Sequence, residues 1–119
     1  MRRMSFFETQ IQIRNKTKTV TRRMGWNDLM PDDLVLPVNK CQGLKPGEHP
    51  VILQCPIRII HVNLEPLFVI EHEHPGDLIK EGFPTLTVDQ FIIMFCRINK
   101  AKKCKSTSYV NRIEFEYTA

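Results

Sequence analysis

The densest group of reactive side chains in this sequence lies in one six-residue segment. It supplies an amine, two hydroxyls and two guanidinium groups, in the order Lys18-Thr19-Val20-Thr21-Arg22-Arg23. In an extended strand, successive side chains face opposite ways, which separates the Lys18 amine from the Thr21 hydroxyl. A bend or bulge near Thr19 or Val20 would bring them together, as bulges do beside many active sites. We therefore expect irregular backbone here; the alternative is a basic edge strand whose charges discourage edge pairing.

The basic residues are concentrated near the two ends of the chain, although the formal net charge is only +4. Residues 1 to 23 are rich in Arg and Lys and contain a single acid, Glu8. Residues 97 to 105 are also basic and contain no acid, whereas residues 65 to 89 are acidic. If the two basic segments meet on one face, that face attracts polyanions, with nucleic acid as the expected partner. The alternative is a solvated surface of mixed charge.

Length and cysteine spacing indicate one reduced domain that spans residues 1–119. This length suffices for one hydrophobic core and is too short for two ordinary domains. The cysteines form no CxxC pair, so we expect free thiols at Cys41, Cys55, Cys96 and Cys104. No apolar segment reads as a transmembrane helix or completes a signal peptide after Met1-Arg2-Arg3. We expect a cytoplasmic protein with no membrane partner, and take a monomer as the default.

Hydrophobic periodicity and turn signals predict an α+β domain. Ser5-Phe6-Phe7-Glu8 has the spacing of a helix capping box and predicts a short helix that runs toward Arg14. Thr87-Val88-Asp89-Gln90 repeats that spacing, and the apolar residues that follow predict a helix over 88–98. Apolar or alternating runs predict a strand at 34–38, and two strands or one bent strand within 51–64 with a bulge or bend near Ile59. Alternation at 109–117 predicts a half-buried strand with Arg112, Glu114 and Glu116 on its polar face. Short strands with inserted helices suggest an α+β domain around a small barrel.

A series of short motifs along nearly the whole chain resembles the ASCH domain family, especially its small single-domain bacterial and phage members. The motifs are KTVTRR with Gly25-Trp26, Lys40 to Glu48, Glu65-Pro66-Leu67, Glu81-Gly82-Phe83-Pro84, Met94-Phe95-Cys96, and Arg112 to Phe115. The resemblance implies a PUA-like mixed or antiparallel β-barrel with two or three flanking helices and a cleft beside it. It also implies RNA or a modified nucleoside as the partner, and no cofactor.

The resemblance further implies three catalytic residues. Some ASCH-like proteins are amidohydrolases that remove the acetyl group of N4-acetylcytidine with a KTxT motif and a downstream glutamate, and Lys18, Thr21 and Glu81 match these positions. A threonine hydroxyl attacks once a base takes its proton, and Lys serves if burial or a cation such as Arg23 lowers its pKa. Glu81 would handle the proton of the leaving amine or orient Lys18. The competing interpretation is a structural Lys18–Glu81 salt bridge.

Two other functions stay open, a non-catalytic single-stranded RNA-binding module and a ribonuclease. In a binding module, Trp26 and Arg23 would offer flat surfaces on which bases stack, although a lone Trp also commonly fills a core. The residues expected to contact phosphate or substrate are Lys16, Arg22, Lys40, Lys45 and the run from Lys100 to Lys105.

The segment Glu71-His72-Glu73-His74 is a candidate metal site, with His61 as a third ligand. In a strand, His72 and His74 would share a face, as two ligands of one metal must. Pro75-Gly76-Asp77 follows directly, which is typical of a turn. We therefore expect an exposed acidic loop here and no bound metal.

Overall fold

A five-stranded mixed sheet forms the scaffold of the computed structural model, which describes residues 1–119. The strands are β1 (Arg3–Ser5), β2 (Val20–Arg23), β3 (Leu34–Val38), β4 (Ile57–Pro66) and β5 (Tyr109–Tyr117). They lie in the order β1-β3-β4-β5-β2; β1 and β3 run parallel, and the other neighbours run antiparallel. The sheet has two open edges, β1 and β2. The predicted α+β class is confirmed, whereas closure into a barrel is not.

Three helices accompany the sheet: α1 (Gln10–Arg14), α2 (Asp77–Lys80) and α3 (Val88–Ile98). Helix α3 confirms the prediction, including its capping box, in which Thr87 and Gln90 exchange side chain to backbone hydrogen bonds of 2.9 and 3.1 Å. The first predicted capping box is wrong. Ser5 ends β1 and its hydroxyl donates to the Asn39 carbonyl, so a 3₁₀ turn at Phe7–Thr9 leads into α1 without a cap. None of the helices has both the length and the apolarity to cross a membrane.

Strands β4 and β5 form the longest pairing in the sheet and contain the predicted bulge. Ile59 pairs with Phe115 and His61 with Glu114, which leaves Ile60 without a partner. Side chains alternate between the two faces of a strand. One extra residue therefore changes which alternate positions face the core beyond the bulge. As a result, Ile59 and Val62 both pack in the same core although they are an odd number of residues apart.

The interior consists of two separate hydrophobic clusters. The main core contains ten buried side chains, among them Phe6, Ile13, Ile59 and Phe115, and so joins the sheet to α1. The second core contains Leu67, Ile70, Phe91, Phe95 and Val110, and so joins α3 to the start of β5. Burial of each large apolar side chain is worth about 1.5–3 kcal/mol. Phe91 and Phe95, one helical turn apart, therefore anchor α3.

Candidate functional site

A pocket of about 250 Å³ lies where the two cores meet. Phe6 of the main core and Phe91 and Phe95 of the second core all line it. Six of the residues singled out in the sequence also line it: Lys18, Thr21, Arg22, Arg23, Trp26 and Glu81. Lys102 of the basic run also lines it, whereas Lys16, Lys40 and Lys45 lie outside the pocket.

Irregular backbone directly before β2 positions Lys18. Strand β2 begins at Val20 and pairs with β5 without a shift in register, so the irregularity lies at Lys18 and Thr19 rather than within the strand. The Thr19 N–H donates to the Lys80 carbonyl at 2.8 Å. The Tyr117 hydroxyl donates to the Lys18 carbonyl at 2.5 Å. These two bonds fix the Lys18 backbone between the end of α2 and β5.

The Lys18 amine is buried against Glu81. Its Nζ lies 3.0 Å from Glu81 Oε1 and 2.6 Å from the Glu81 carbonyl oxygen, and both residues are almost fully buried. Burial lowers the pKa of Lys18, although Glu81 acts in the opposite direction. The nearby cations Arg23 and Arg22 lower the pKa of Lys18 further. A lysine of lowered pKa loses its proton more readily, as a general base must.

A tight turn after α2 holds Glu81 in place. The Glu81 N–H continues the helical bonding by donating to the Asp77 carbonyl at 2.7 Å. Gly82 follows with φ of +94°, a conformation that residues with a Cβ rarely adopt. A Cβ on Gly82 would lie 3.0 Å from Cγ of Gln12 in α1, and the Gln12 amide donates to the Gly82 carbonyl at 3.0 Å. Helix α1 therefore packs directly on the turn that carries Glu81.

A buried charge network extends from Glu81 away from the pocket; its members are Lys18, Arg22, Arg112, Glu65, Asp77 and Glu81. The Arg22 side chain is fully buried and donates to Glu81 Oε2 at 3.0 Å and to Asp77 Oδ2 at 2.6 Å. Arg112 donates to both oxygens of Asp77, at 2.8 and 2.9 Å. The third carboxylate, Glu65, lies 3.7 Å from Arg22. Arg22 was predicted to contact phosphate, but in the structure its side chain donates hydrogen bonds to carboxylates.

Sequence analysis missed Asp77 and Arg112 as parts of this network. Asp77 was assigned to an exposed acidic loop and Arg112 to the polar face of β5, but both are buried. Burial by itself raises the pKa of Asp77, yet the hydrogen bonds from Arg112 and Arg22 outweigh it and hold that pKa at about 2. The strand pairing places Arg22 opposite Arg112, and like charges in that position require a carboxylate between them. This signal depends on the strand register, which the sequence alone does not supply.

Thr21 and Arg23 form a polar pair on the pocket wall. The Arg23 Nε donates to the buried Thr21 hydroxyl oxygen at 3.0 Å, and its guanidinium lies 4.8 Å from the centre of the Phe6 ring. Burial lowers the pKa of Arg23 to about 10, with Glu81 opposing the shift. At neutral pH Arg23 is therefore a cation in contact with Thr21, and it favours negative charge on that oxygen.

Trp26 lies at the pocket wall in an unusual backbone conformation. Its φ is +60°, directly after Gly25 at +103°, and such strained positions are concentrated at functional sites. The ring is partly buried against the main core, and the Arg2 guanidinium lies 4.2 Å from the ring centre. The Asn111 amide donates to the Gly25 carbonyl and helps to hold this turn. Trp26 thus contributes both to the core and to the pocket.

The lysines outside the pocket have other neighbours. Lys16 lies in the turn after α1 with φ of +61°, and its amine donates to the carbonyl oxygen of Ala119. Lys40 pairs with Glu48 at 3.1 Å, and Lys45 is exposed in a loop. From the basic run near the second core, Lys102 reaches the pocket, and its amine donates to the Met24 carbonyl at 2.8 Å.

The segment Glu71-His72-Glu73-His74 does not form a strand. Glu71 ends a 3₁₀ turn, and the residues up to His74 form turn or irregular backbone. No cluster of three or more His, Cys, Asp or Glu side chains in residues 1–119 is arranged to hold a metal ion. His74 instead contacts Glu65, with 3.0 Å between Nε2 and Oε1, and so extends the charge network toward the surface.

Comparisons with protein-family models, with curated proteins and with solved structures return no match for this chain. The pocket itself combines a buried lysine and glutamate pair, a buried threonine hydroxyl, and a cation in contact with that hydroxyl.

Proposed function

We propose that this chain is an ASCH-type domain with a PUA-like sheet that stays open at its edges, and that its pocket hydrolyses the N4-acyl group of N4-acetylcytidine. The observation that carries the proposal is the buried Lys18–Glu81 pair in the same pocket as the buried Thr21 hydroxyl. A buried ion pair that serves structure alone does not require a nucleophilic hydroxyl beside it. The motif resemblance assigns these three residues to one reaction.

The hydrogen bonds of Lys18 suit a general base. A neutral amine has two N–H groups and one lone pair. The Glu81 carboxylate and the Glu81 carbonyl oxygen accept two N–H bonds from Lys18. The neutral amine therefore keeps its lone pair for the proton of Thr21, whose oxygen attacks the acyl carbon. In this scheme the Lys18 amine keeps its bonds to Glu81 while its lone pair takes the proton of Thr21.

Arg23 and Glu81 complete the scheme. Arg23 already donates to the Thr21 oxygen, so it lies close to the oxyanion that develops when the hydroxyl attacks. Glu81 accepts a hydrogen bond from Lys18. The proton that Lys18 takes from Thr21 passes to Glu81, which delivers it to the departing amine. Cleavage of the C–N bond leaves the acyl group as an ester on Thr21, and water then releases it. Each residue has one role in this cycle.

The size of the pocket supports a small substrate. At about 250 Å³ it lies below the range of about 300–1,000 Å³ typical of sites for drug-sized ligands. A single nucleoside is of a suitable size. The rings of Phe6, Phe83 and Trp26 offer apolar surface to a base.

A non-catalytic RNA-binding module is the second candidate, and Trp26 favours it. The strained Gly25-Trp26 turn holds an aromatic ring at the pocket, with the guanidinium of Arg2 over it and the amine of Lys102 in the same wall. An aromatic ring beside cations is the arrangement that binds single-stranded nucleic acid. In that case Trp26 and Lys102 matter for affinity, and the Thr21 hydroxyl does not.

The test is release of cytidine from N4-acetylcytidine by the purified protein and by Thr21→Val. Valine keeps the shape of threonine, so we expect turnover to fall at least about 1,000-fold while substrate affinity changes by no more than about 1 kcal/mol. Lys18→Met should also abolish turnover. Thr19→Val is the matched control, because Thr19 lies two residues away and does not line the pocket.

Two outcomes contradict the proposal. If Thr21→Val keeps full turnover, Thr21 is not the nucleophile. Absence of turnover by the unmodified protein, together with salt-dependent binding of single-stranded RNA that Trp26→Ala weakens, supports the binding module instead.

A further inference from the structure

Two cysteines lie in contact next to the pocket wall. Cys96 in α3 and Cys104 after the 3₁₀ turn Lys100–Lys102 have their Sγ atoms 2.6 Å apart, and both are free thiols. Each is partly buried against the second core. The other two cysteines, Cys41 and Cys55, are exposed and belong to no such pair.

The segment between these two cysteines forms part of the pocket wall. Ile98, Asn99 and Lys102 all line the pocket. The chain leaves α3 at Asn99 and reverses at Lys103, whose φ of +53° is left-handed. This reversal brings Cys104 back beside Cys96. A covalent bond between the two sulfurs would close a short loop around the residues that shape this side of the pocket.

We propose that Cys96 and Cys104 form a reversible disulfide that fixes this wall of the pocket. The oxidant is a small-molecule disulfide such as oxidised glutathione. One protein thiolate attacks it, its S–S bond breaks, and one glutathione thiol leaves. The second protein thiol then loses its proton, attacks the mixed disulfide and displaces the second glutathione thiol. The two cysteines thereby lose two protons and two electrons, and one oxidised glutathione becomes two reduced molecules.

The surroundings of the thiols favour closure of the bond after the first attack. Burial and the hydrogen bond with Cys96 raise the pKa of Cys104. Either sulfur can donate in the contact between the two thiols, so either cysteine can react first. Once Cys96 carries a mixed disulfide, the contact between the sulfurs places Cys104 next to the bond that it must attack. The pairing favours the intramolecular product over a lasting glutathione adduct.

The experiment treats the folded protein with oxidised glutathione and maps the products by mass spectrometry without reduction. We expect an intramolecular Cys96–Cys104 disulfide, seen as loss of two hydrogens, and its reversal by dithiothreitol. Because the bond restricts the unfolded chain, the oxidised protein should melt about 5 °C or more above the reduced protein. Backbone hydrogen exchange of residues 98–102 should slow. These measurements do not depend on whether the pocket is catalytic.

Matched variants separate this bond from reactions of the exposed thiols. The double variant Cys41→Ser/Cys55→Ser should form the disulfide as the unmodified protein does. Cys96→Ser and Cys104→Ser should show neither the loss of two hydrogens nor the rise in melting temperature, and Cys104→Ser should accumulate a glutathione adduct at Cys96. The proposal is overturned if oxidation modifies Cys41 and Cys55 while Cys96 and Cys104 remain open to alkylation. It is also overturned if the bond forms and exchange of residues 98–102 is unchanged.

Discussion

The two ends of the buried charge network differ in their access to the pocket, because Lys18 and Glu81 line it whereas Asp77 and Arg112 do not. At the end away from the pocket, Asp77 accepts three hydrogen bonds from Arg22 and Arg112. At the pocket end, Lys18 is bonded to Glu81, and its lone pair becomes free when the amine is neutral. The comparison suggests a division of labour, in which the Asp77 end maintains the fold and the Lys18 end is free to react.

The largest expected effect comes from removing the carboxylate at the structural end. Asp77→Ala removes the carboxylate that accepts both side-chain hydrogen bonds of Arg112 and one of the two carboxylates that accept from Arg22, so we expect the free energy of unfolding to fall by about 3–5 kcal/mol. Urea denaturation followed by circular dichroism measures it. Asp28→Ala is the control, because Asp28 pairs with Arg2 on the exposed surface and should leave the unfolding midpoint unchanged. A loss below about 1 kcal/mol for Asp77→Ala would contradict the assigned role.

Lowering the pH should test the contribution of the Asp77 carboxylate to stability without a mutation. The pKa of Asp77 is depressed from 3.8 to about 2, so the folded state binds its proton less tightly than the unfolded state. The stabilising contribution is then complete above about pH 4 and is lost as the pH falls toward 2. Urea midpoints measured from pH 5 to 2 should fall more steeply for the unmodified protein than for Asp77→Asn. Parallel curves for the two proteins would argue against this linkage.

A smaller loss of stability is expected at the pocket end. Lys18→Met removes the amine, but Glu81 keeps its hydrogen bond from Arg22, and the apolar side chain fills similar space. We expect the free energy of unfolding to change by no more than about 2 kcal/mol, while the turnover proposed above disappears. Urea denaturation beside the cytidine assay separates the two effects. If Lys18→Met destabilises the protein as much as Asp77→Ala, the two ends are equivalent and the division of labour is wrong.

The smallest effect is expected at a surface pair. Lys40 bonds to Glu48 at 3.1 Å with both side chains about one-third exposed, and such pairs contribute about 0–1 kcal/mol. Lys40→Ala should therefore leave stability within that range and leave ligand affinity unchanged, because Lys40 does not line the pocket. Titration of the variant with nucleoside or single-stranded RNA tests the second point. Weakened RNA binding would show that the interface extends beyond the pocket.

Local sequence signals were sufficient for the longer elements. The capping box at Thr87 and the apolar spacing that follows predicted α3, and the two registers around Ile59 predicted the bulge in β4. Both depend on residues close together in the chain. By contrast, the three-residue strand β1 escaped prediction because its parallel pairing with β3 joins segments more than thirty residues apart. Its own sequence carries too few residues to show alternation.

Only part of the site could be predicted from sequence, because the rest depends on contacts between residues far apart in the chain. Motif resemblance singled out Lys18, Thr21 and Glu81, which the structure places at one pocket. The Asp77–Arg112 pair joins residues 35 positions apart, and alternation along β5 assigned Arg112 to the solvent face. The distribution of charged residues along the sequence could not show that α2 covers that face of β5 and buries the Arg112 guanidinium. Lys16 was grouped with the site by proximity in sequence, but the turn after α1 directs it toward Ala119.

The close packing of Gln12 on Gly82 has a consequence for the timing of the reaction. Because a Cβ on Gly82 would lie only 3.0 Å from the Gln12 side chain, α1 packs tightly against the turn that carries Glu81 and supports it. Glu81 is thus held near Lys18 before any ligand arrives, and in the proposed reaction the ordering entropy of that contact would be lost during folding rather than during each turnover. Helix α1 contributes no charge to the network, yet in that reaction it would act as the rigid support against which the proton moves.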